Sequence, residues 1–230
     1  MRRLPIAWLA GFLIAVSSPL IAAKPPDTWD GLLRVSSKKL DAVYLMPNAD
    51  FRSYTKVIID APQIALRKNW QRDYNTSTMG TAGRISDSDV RRAIDEASER
   101  FREILSKSYT DAGYEVVSQP DAAVLRVSTA VINVDVVAPD VMTAGRSRTY
   151  AEDAGEATLA LEARDSLSGA LLGRALDRRI AGDNSTFRRT SVSNRADFDR
   201  LFSIWAKLSV EGLGKLKALS PVDADGALRK

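Results

Sequence analysis

The stretch from Ala122 to Ala138, AAVLRVSTAVINVDVVA, is dense in Val, Ile and Thr and is closed by Pro139. β-Branched residues suit a pleated, half-buried surface and proline cannot continue a ladder, so the stretch reads as one long strand. Side chains alternate across a strand. Val127, Thr129, Val131, Asn133 and Asp135 therefore share one face, and Ser128, Ala130, Ile132, Val134 and Val136 the other. The second set is the more apolar and is the expected core face.

Upstream, Ser86-Asp87-Ser88-Asp89 supplies N-cap side chains, and Val90, Ala93, Ile94, Ala97, Phe101, Ile104 and Leu105 recur at steps of three and four. That spacing predicts a long amphipathic helix ending near Gly113, with Tyr114 to Val117 starting the next strand. Its charged face, with Arg91, Arg92, Asp95, Glu96, Glu99, Arg100, Arg102 and Glu103, reads as a solvated surface supported by close-range ion pairs. Before it, Lys56 to Ala61 (KVIIDA) reads as the first strong strand, with Ile64-Ala65-Leu66 continuing it beyond Pro62.

Downstream, Ala157 to Asp165 and Leu171 to Ile180 flank the turn formers Asp165-Ser166-Leu167-Ser168-Gly169 and predict a hairpin. From about Arg195, Phe198, Leu201, Phe202, Trp205, Leu208, Gly212 and Leu216 form one stripe of a second long helix, which Ser220-Pro221 ends. The order is β-α-β-β-β-α. It defines an α+β fold: a single domain with a mixed, mostly antiparallel sheet and two long helices packed on one face, the other face being open to water or a partner.

Ahead of this body, Met1-Arg2-Arg3, the eleven-residue apolar run Ile6 to Val16 and the small residues before Ala23 have the layout of a secretory signal, cut after Ala23. The run is too short to span a bilayer, which takes about 20 apolar residues. Residues 1–23 are thus expected to be removed, leaving an extended lead-in over 24–50, a domain over 51–220 and a frayed tail over 221–230. Loss of Arg2 and Arg3 leaves 31 basic against 29 acidic residues, a net +2 over 207 residues. A near-neutral, exported chain is not a nucleic-acid binder. The expected location is the periplasm or the medium.

The 230 residues contain neither Cys nor His. That excludes thiol and Ser-His-Asp catalysis, Cys/His zinc sites, His- or Cys-held haem and disulfides. No cofactor or metal is expected. Catalysis by carboxylates alone could draw on Asp60, Asp135, Asp165, Asp177 and Glu162 near strand ends, but such residues are usually turn formers or solvated edges. Ser36-x-x-Lys39 matches an acyl-serine spacing without its partner motifs, and Gly212-Leu213-Gly214-Lys215 lies inside a helix pattern, where packing or a bend explains it better than phosphate binding. Arg146, Arg148, Arg178, Arg179, Arg188 and Arg189 could form a basic patch and otherwise read as plain surface.

Lys68-Asn69-Trp70-Gln71-Arg72-Asp73-Tyr74, followed by a Gly/Ser/Thr-rich loop with Met79, is the one region composed like an interface. Trp70, Arg72 and Tyr74 are the candidate partner contacts; the competing reading tucks Trp70 and Tyr74 against the sheet.

Three segments carry a resemblance: Trp29-Asp30-Gly31-Leu32-Leu33, Pro47 to Ile59 (PNADFRSYTKVII) and Trp205-Ala206-Lys207-Leu208. In this order, around a central Val/Ile-rich strand, they resemble the bacterial domain-of-unknown-function 3313 family, over nearly the whole mature chain. Many members are similar to outer-membrane lipoproteins; this sequence lacks the lipid-bearing Cys, so the resemblance implies export without a lipid anchor. It implies no activity and no site residues. The reading that follows is an exported, non-enzymatic cell-envelope protein that works by binding or assembly with an envelope protein or polymer. The alternatives are a carboxylate-only hydrolase or lyase and a periplasmic small-ligand or lipid carrier.

Overall fold

The computed structural model describes residues 26–77, 84–136, 149–189 and 191–223. The signal segment with Ala23, Met79, and Arg146 and Arg148 lie outside the described residues. In chain order the elements are β1 (Thr28–Trp29), β2 (Leu32–Val35), β3 (Ala42–Leu45), β4 (Lys56–Ile59), β5 (Gln63–Leu66), α1 (Trp70–Ser77), α2 (Asp87–Asp111), β6 (Glu115–Val116), β7 (Val124–Val136), β8 (Thr149–Asp165), β9 (Leu171–Arg189) and α3 (Ser191–Leu219). The nine strands form one mixed sheet in the order β1-β2-β3-β9-β8-β7-β4-β6, with β5 paired to β7. From β1 to β7 all neighbours are antiparallel, while β4 and β5 run parallel to β7. The α+β class, the mixed sheet and the single domain are as expected.

Each expected element has a local cause. Ser86 caps α2: its hydroxyl accepts from Asp89 N–H while the Asp89 carboxylate takes the Ser86 N–H, a reciprocal box that holds the Asp89 carboxyl below its ordinary range. Gly113, at φ +88°, lets the chain leave the helix. The charged side of α2 carries Asp89–Arg92, Glu99–Arg102 and Lys107–Asp111 pairs one turn apart. The hairpin closes where Asp165 N–H bonds Ala170 O and Gly169 N–H bonds Asp165 O.

The helices run parallel. Arg195 and Glu96, Arg100 and Asp199, Phe101 and Phe202, and Tyr109 and Ser209 meet in the same order along both. They share one core with the inner face of the sheet, in which Phe51, Phe101, Leu105 and Ala206 are fully buried and Trp205 nearly so.

Three expectations change. The core face of β7 is the other one: Leu125, Val127, Thr129 and Val131 are buried, whereas Ser128, Ala130 and Ile132 are only partly covered. Apolarity alone misled, because the register slips between Ile132 and Asp135, where Asn133 takes φ +53°. Beyond this bulge the faces exchange, so Val134 joins Val127 and Val131 in the core. Opposite it, Gly155 takes φ +143°, and a Cβ there would lie 1.8 Å from Asp135 O; only glycine fits.

Second, residues 24–50, expected as a lead-in, carry β1, β2 and β3. Leu32 and Tyr44 are fully buried and Leu45 nearly so. These strands are too short for periodicity to reveal, and non-local pairing of β3 with β9 holds them. Third, Val222, in the expected tail, is buried and exchanges hydrogen bonds with the 48–49 backbone.

Candidate functional site

The segment singled out by composition forms α1. Trp70 is 5% exposed, its indole N–H donates to Val136 O at 3.1 Å, and Tyr74 stacks on it at 5.8 Å between ring centres. Arg72 projects into solvent and lies 3.3 Å from Asp73. Arg67 holds this turn to the sheet by pairing with both Asp73 and Asp135. Asn75 then clamps the far side of the loop: its amide accepts from Ile85 N–H at 2.7 Å and donates to Ile85 O at 2.9 Å. Trp70 is thus a wall residue rather than a projecting anchor, and Arg72 does not join it.

That wall borders a cleft of about 420 Å³ between the N-terminal halves of α2 and α3 and the β5–β7 end of the sheet. Its floor is Ile64, Leu66, Val131, Val134 and Val136, and its sides are Val90, Ala93, Ile94 and Ala97 of α2 with Phe198 and Phe202 of α3. The last turns of α2 bury Phe101, Leu105 and Tyr109, but along the cleft Ala93 is exposed and Val90, Ile94 and Ala97 only partly covered. The rim charges neutralise one another: Asp89 with Arg92, Glu96 with Arg195, and Arg100 bonded through its Nε and one terminal nitrogen to both carboxylate oxygens of Asp199. An apolar interior with an internally paired rim favours an apolar, uncharged occupant. The sequence signal for this site was the α2 stripe itself, which continues past the residues the core needs.

The five carboxylates considered for catalysis do not share a partner. Asp60 accepts from Arg126 and Ser128, Asp135 from Arg67, Asp165 from Tyr54 and Ser168, Glu162 from Arg164 and Arg174, and Asp177 from Arg179 and Trp205. Asp165 is held below its ordinary range, first by the Ser168 backbone N–H. Glu162 and Asp60 belong to the outer sheet face and Asp177 to the inner one. Among the described residues no group of three or more acids is placed to hold a metal. Lys39, of the Ser-x-x-Lys spacing, pairs with Glu211 at 2.6 Å. Arg178 and Arg179 point to opposite faces and pair with Glu156 and Asp177. Among the described side chains no patch joins these two, and the side chains of Arg188 and Arg189 lie outside the described residues.

The outer face carries cross-linked charges beside a small apolar cluster of Leu32, Ala42 and Tyr44. Arg174, 8% exposed, forms two bonds to Glu162 (2.9 and 2.6 Å), one to Asp30 (2.9 Å), and stacks 4.0 Å from the centre of the Trp29 ring. Trp29 in turn meets Tyr44 edge-on at 5.6 Å, and the Tyr44 hydroxyl donates to Pro26 O at 3.0 Å. Trp29 and Asp30, at the turn from β1 to β2, therefore cover Arg174 on this end of the outer face.

Fold and cleft together define a helix-covered α+β protein with an accessible apolar site and no assembled catalytic group among the described residues. A family model, "protein of unknown function (DUF3313)", matches residues 26–209, and the chain belongs to that family. No curated protein matches it. Among solved structures it is similar to the PelC dodecamer from Paraburkholderia phytofirmans, at 17% identity over 70% of this chain and 94% of that one, TM-score 0.33. It is also similar to a DUF330 protein from Xanthomonas campestris, at 12% identity over 75% and 90%, TM-score 0.37. A DUF4136 protein from Bacteroides thetaiotaomicron shares 9% identity over 80% and 97%, TM-score 0.34. Among the described residues no helix is long and apolar enough to cross a membrane.

Proposed function

We propose that the protein is exported by cleavage after Ala23 and acts in the cell envelope by binding, its α2–α3 cleft taking an apolar segment of another envelope protein. The observation that carries this is the α2 stripe, which stays half-covered over the cleft while the same stripe is buried one turn further on. Apolar surface of this kind in a groove is what helix or strand segments of a partner use as a seat. The paired rim supports a protein occupant over a charged headgroup or polymer. Separate engagement of each carboxylate supports binding over carboxylate catalysis.

A photoreactive residue at Ala93, expressed in the native envelope, tests the reading. Capture of one defined protein, lost when Ile94→Asp is added and absent when the probe sits at Lys107, is the expected result. Capture unchanged by Ile94→Asp, or equal from Lys107, would refute it. Retention of residues 1–23 in the envelope protein would refute cleavage after Ala23, and its recovery only from the cytoplasm would refute export.

A further inference from the structure

A second cleft, of about 380 Å³, opens at the opposite side of α3. α3 lies over β8 and β9, whereas β3 and β2 lie beyond β9 in the sheet. The inner-face side chains Val35, Val43 and Leu45 therefore extend past the helix and form one wall, and α3 supplies the other through Leu208, Gly212 and Leu216. Gly212 does not serve close packing: a Cβ there would meet nothing within 4 Å. The glycine lines the cleft and leaves open space where a side chain would stand.

The mouth is cationic. Lys38 and Lys39 reach it from the β2–β3 loop and Lys215 from α3, while Glu211 is the one carboxylate among the described lining residues. Glu211 is already engaged, 2.6 Å from Lys39 and 4.0 Å from Lys207. Its carboxyl is held below the ordinary range, first by the Lys39 hydrogen bond. The set is left with excess positive charge beside an apolar slot. We propose that this cleft binds a long-chain fatty acid, with the aliphatic chain between β3 and α3 and the carboxylate at Lys38 and Lys215. The volume lies at the low end of the roughly 300–1,000 Å³ of small-molecule sites, which suits one chain rather than two. Lysine ammonium groups recognise an anionic head as point charges. The proposal is independent of the partner assigned to the α2–α3 cleft.

Binding of cis-parinaric acid to the mature chain, followed by displacement with palmitate, hexadecanol or lysophosphatidic acid, tests it. Saturable binding displaced by palmitate is expected, with hexadecanol about tenfold weaker because it lacks the charge. Gly212→Leu should abolish binding. Lys38→Glu with Lys215→Glu, both away from the core, should weaken it about tenfold, which keeps the test decisive if Gly212→Leu misfolds. Ala93→Trp, in the other cleft, should leave it unchanged. Absence of saturable binding, insensitivity to the lysine reversals, or loss through Ala93→Trp overturns the proposal. Hexadecanol equal to palmitate overturns the role of the lysines, and lysophosphatidic acid binding tighter than palmitate overturns the fatty-acid assignment.

Discussion

Asp177 is the strongest test of how the helices are fixed to the sheet. It is 3% exposed on the inner face of β9, where it accepts from the indole N–H of Trp205 at 2.8 Å and from Arg179 Nε at 2.5 Å. Trp205 is 1% exposed, so without the carboxylate its N–H has no access to water. An orphaned buried donor costs about 1–3 kcal/mol. The Arg179 side chain is 34% exposed, so water replaces most of its lost partner and this part is discounted to at most about 1 kcal/mol. Asp177→Ala should therefore destabilise by about 1–4 kcal/mol, whereas Asp177→Asn, which keeps an acceptor for the indole, should cost about 1 kcal/mol at most. Trp205→Phe removes the donor itself, and combining it with Asp177→Ala should lose less than the sum, by about 1–2 kcal/mol. Urea unfolding reads this directly: at an m-value of about 2 kcal/mol/M, a loss of 3 kcal/mol moves the midpoint down by about 1.5 M. Asp177→Ala within about 0.5 kcal/mol of the parent, or strict additivity with Trp205→Phe, would refute the claim that the carboxylate exists to satisfy that indole.

Gly212 and Gly214 both lie inside α3 with open space where a Cβ would go, so alanine at either should add about 0.5–1 kcal/mol through helix propensity alone. A lowered melting temperature would show that a side chain does meet the fold there. Arg174→Lys keeps the charge but loses the fork to Glu162 and the stacking on Trp29; a loss of more than about 1 kcal/mol is expected, and more for Arg174→Ala, which leaves Glu162 poorly paired. Equal stability of the lysine and arginine forms would remove the geometric argument. Burial pushes the Tyr109 phenol up to about 12, against 10 when solvated. The native state keeps a proton that the unfolded chain releases, so this contribution is complete below about pH 10 and is lost as pH rises through about 12, amounting to about 2–3 kcal/mol. Tyr109→Phe should flatten that part of the alkaline limb in pH-dependent melts; an unchanged limb would assign it to Tyr54 and Tyr114, which burial pushes the same way.

Local signals carried the long elements. The capping box at Ser86, the 3–4 spacing through Phe101, the turn formers at Asp165 to Gly169 and the Val/Ile run of β7 are each written within a few residues, and each is found in the structure. The failures lie where a distant partner decides. The face of β7 depends on a slip at Asn133 that only the register with β8 and the missing Cβ of Gly155 explain. β1 to β3 exist because β9 offers an edge, and no pattern within 24–50 announces it. Trp70 lines the α2–α3 cleft, but its burial in that wall depends on Val136 O, sixty-six residues away. The second cleft left one trace, a glycine inside an amphipathic helix, which reads equally as packing until the space beside it is known. The segments carrying the family resemblance prove architectural. Trp29 and Asp30 hold Arg174, Tyr54 bonds Asp165, and Trp205 bonds Asp177.

The proportions of the fold explain why the described elements leave part of the inner face open. Eight strands side by side at about 4.8 Å span roughly 34 Å, whereas two parallel helices about 10 Å apart cover about 20 Å. Two helices cannot cover this sheet. α2 is committed to β4, β5 and β6 and α3 to β8 and β9, so the shortfall falls on the β2–β3 flank. The 36–40 loop, tied to α3 by Lys39 and Glu211, bridges that gap at its mouth without filling it. On this argument the space beside Gly212 is a property of the architecture, not a packing defect, and a large side chain should be accepted there. Gly155 is the contrasting case: its Cβ would strike backbone that the bulge holds in place. Gly212→Leu should therefore fold with near-parent stability and Gly155→Ala should not, although alanine is the smaller change; the reverse order would mean that the sheet, and not the helix cover, sets the free space.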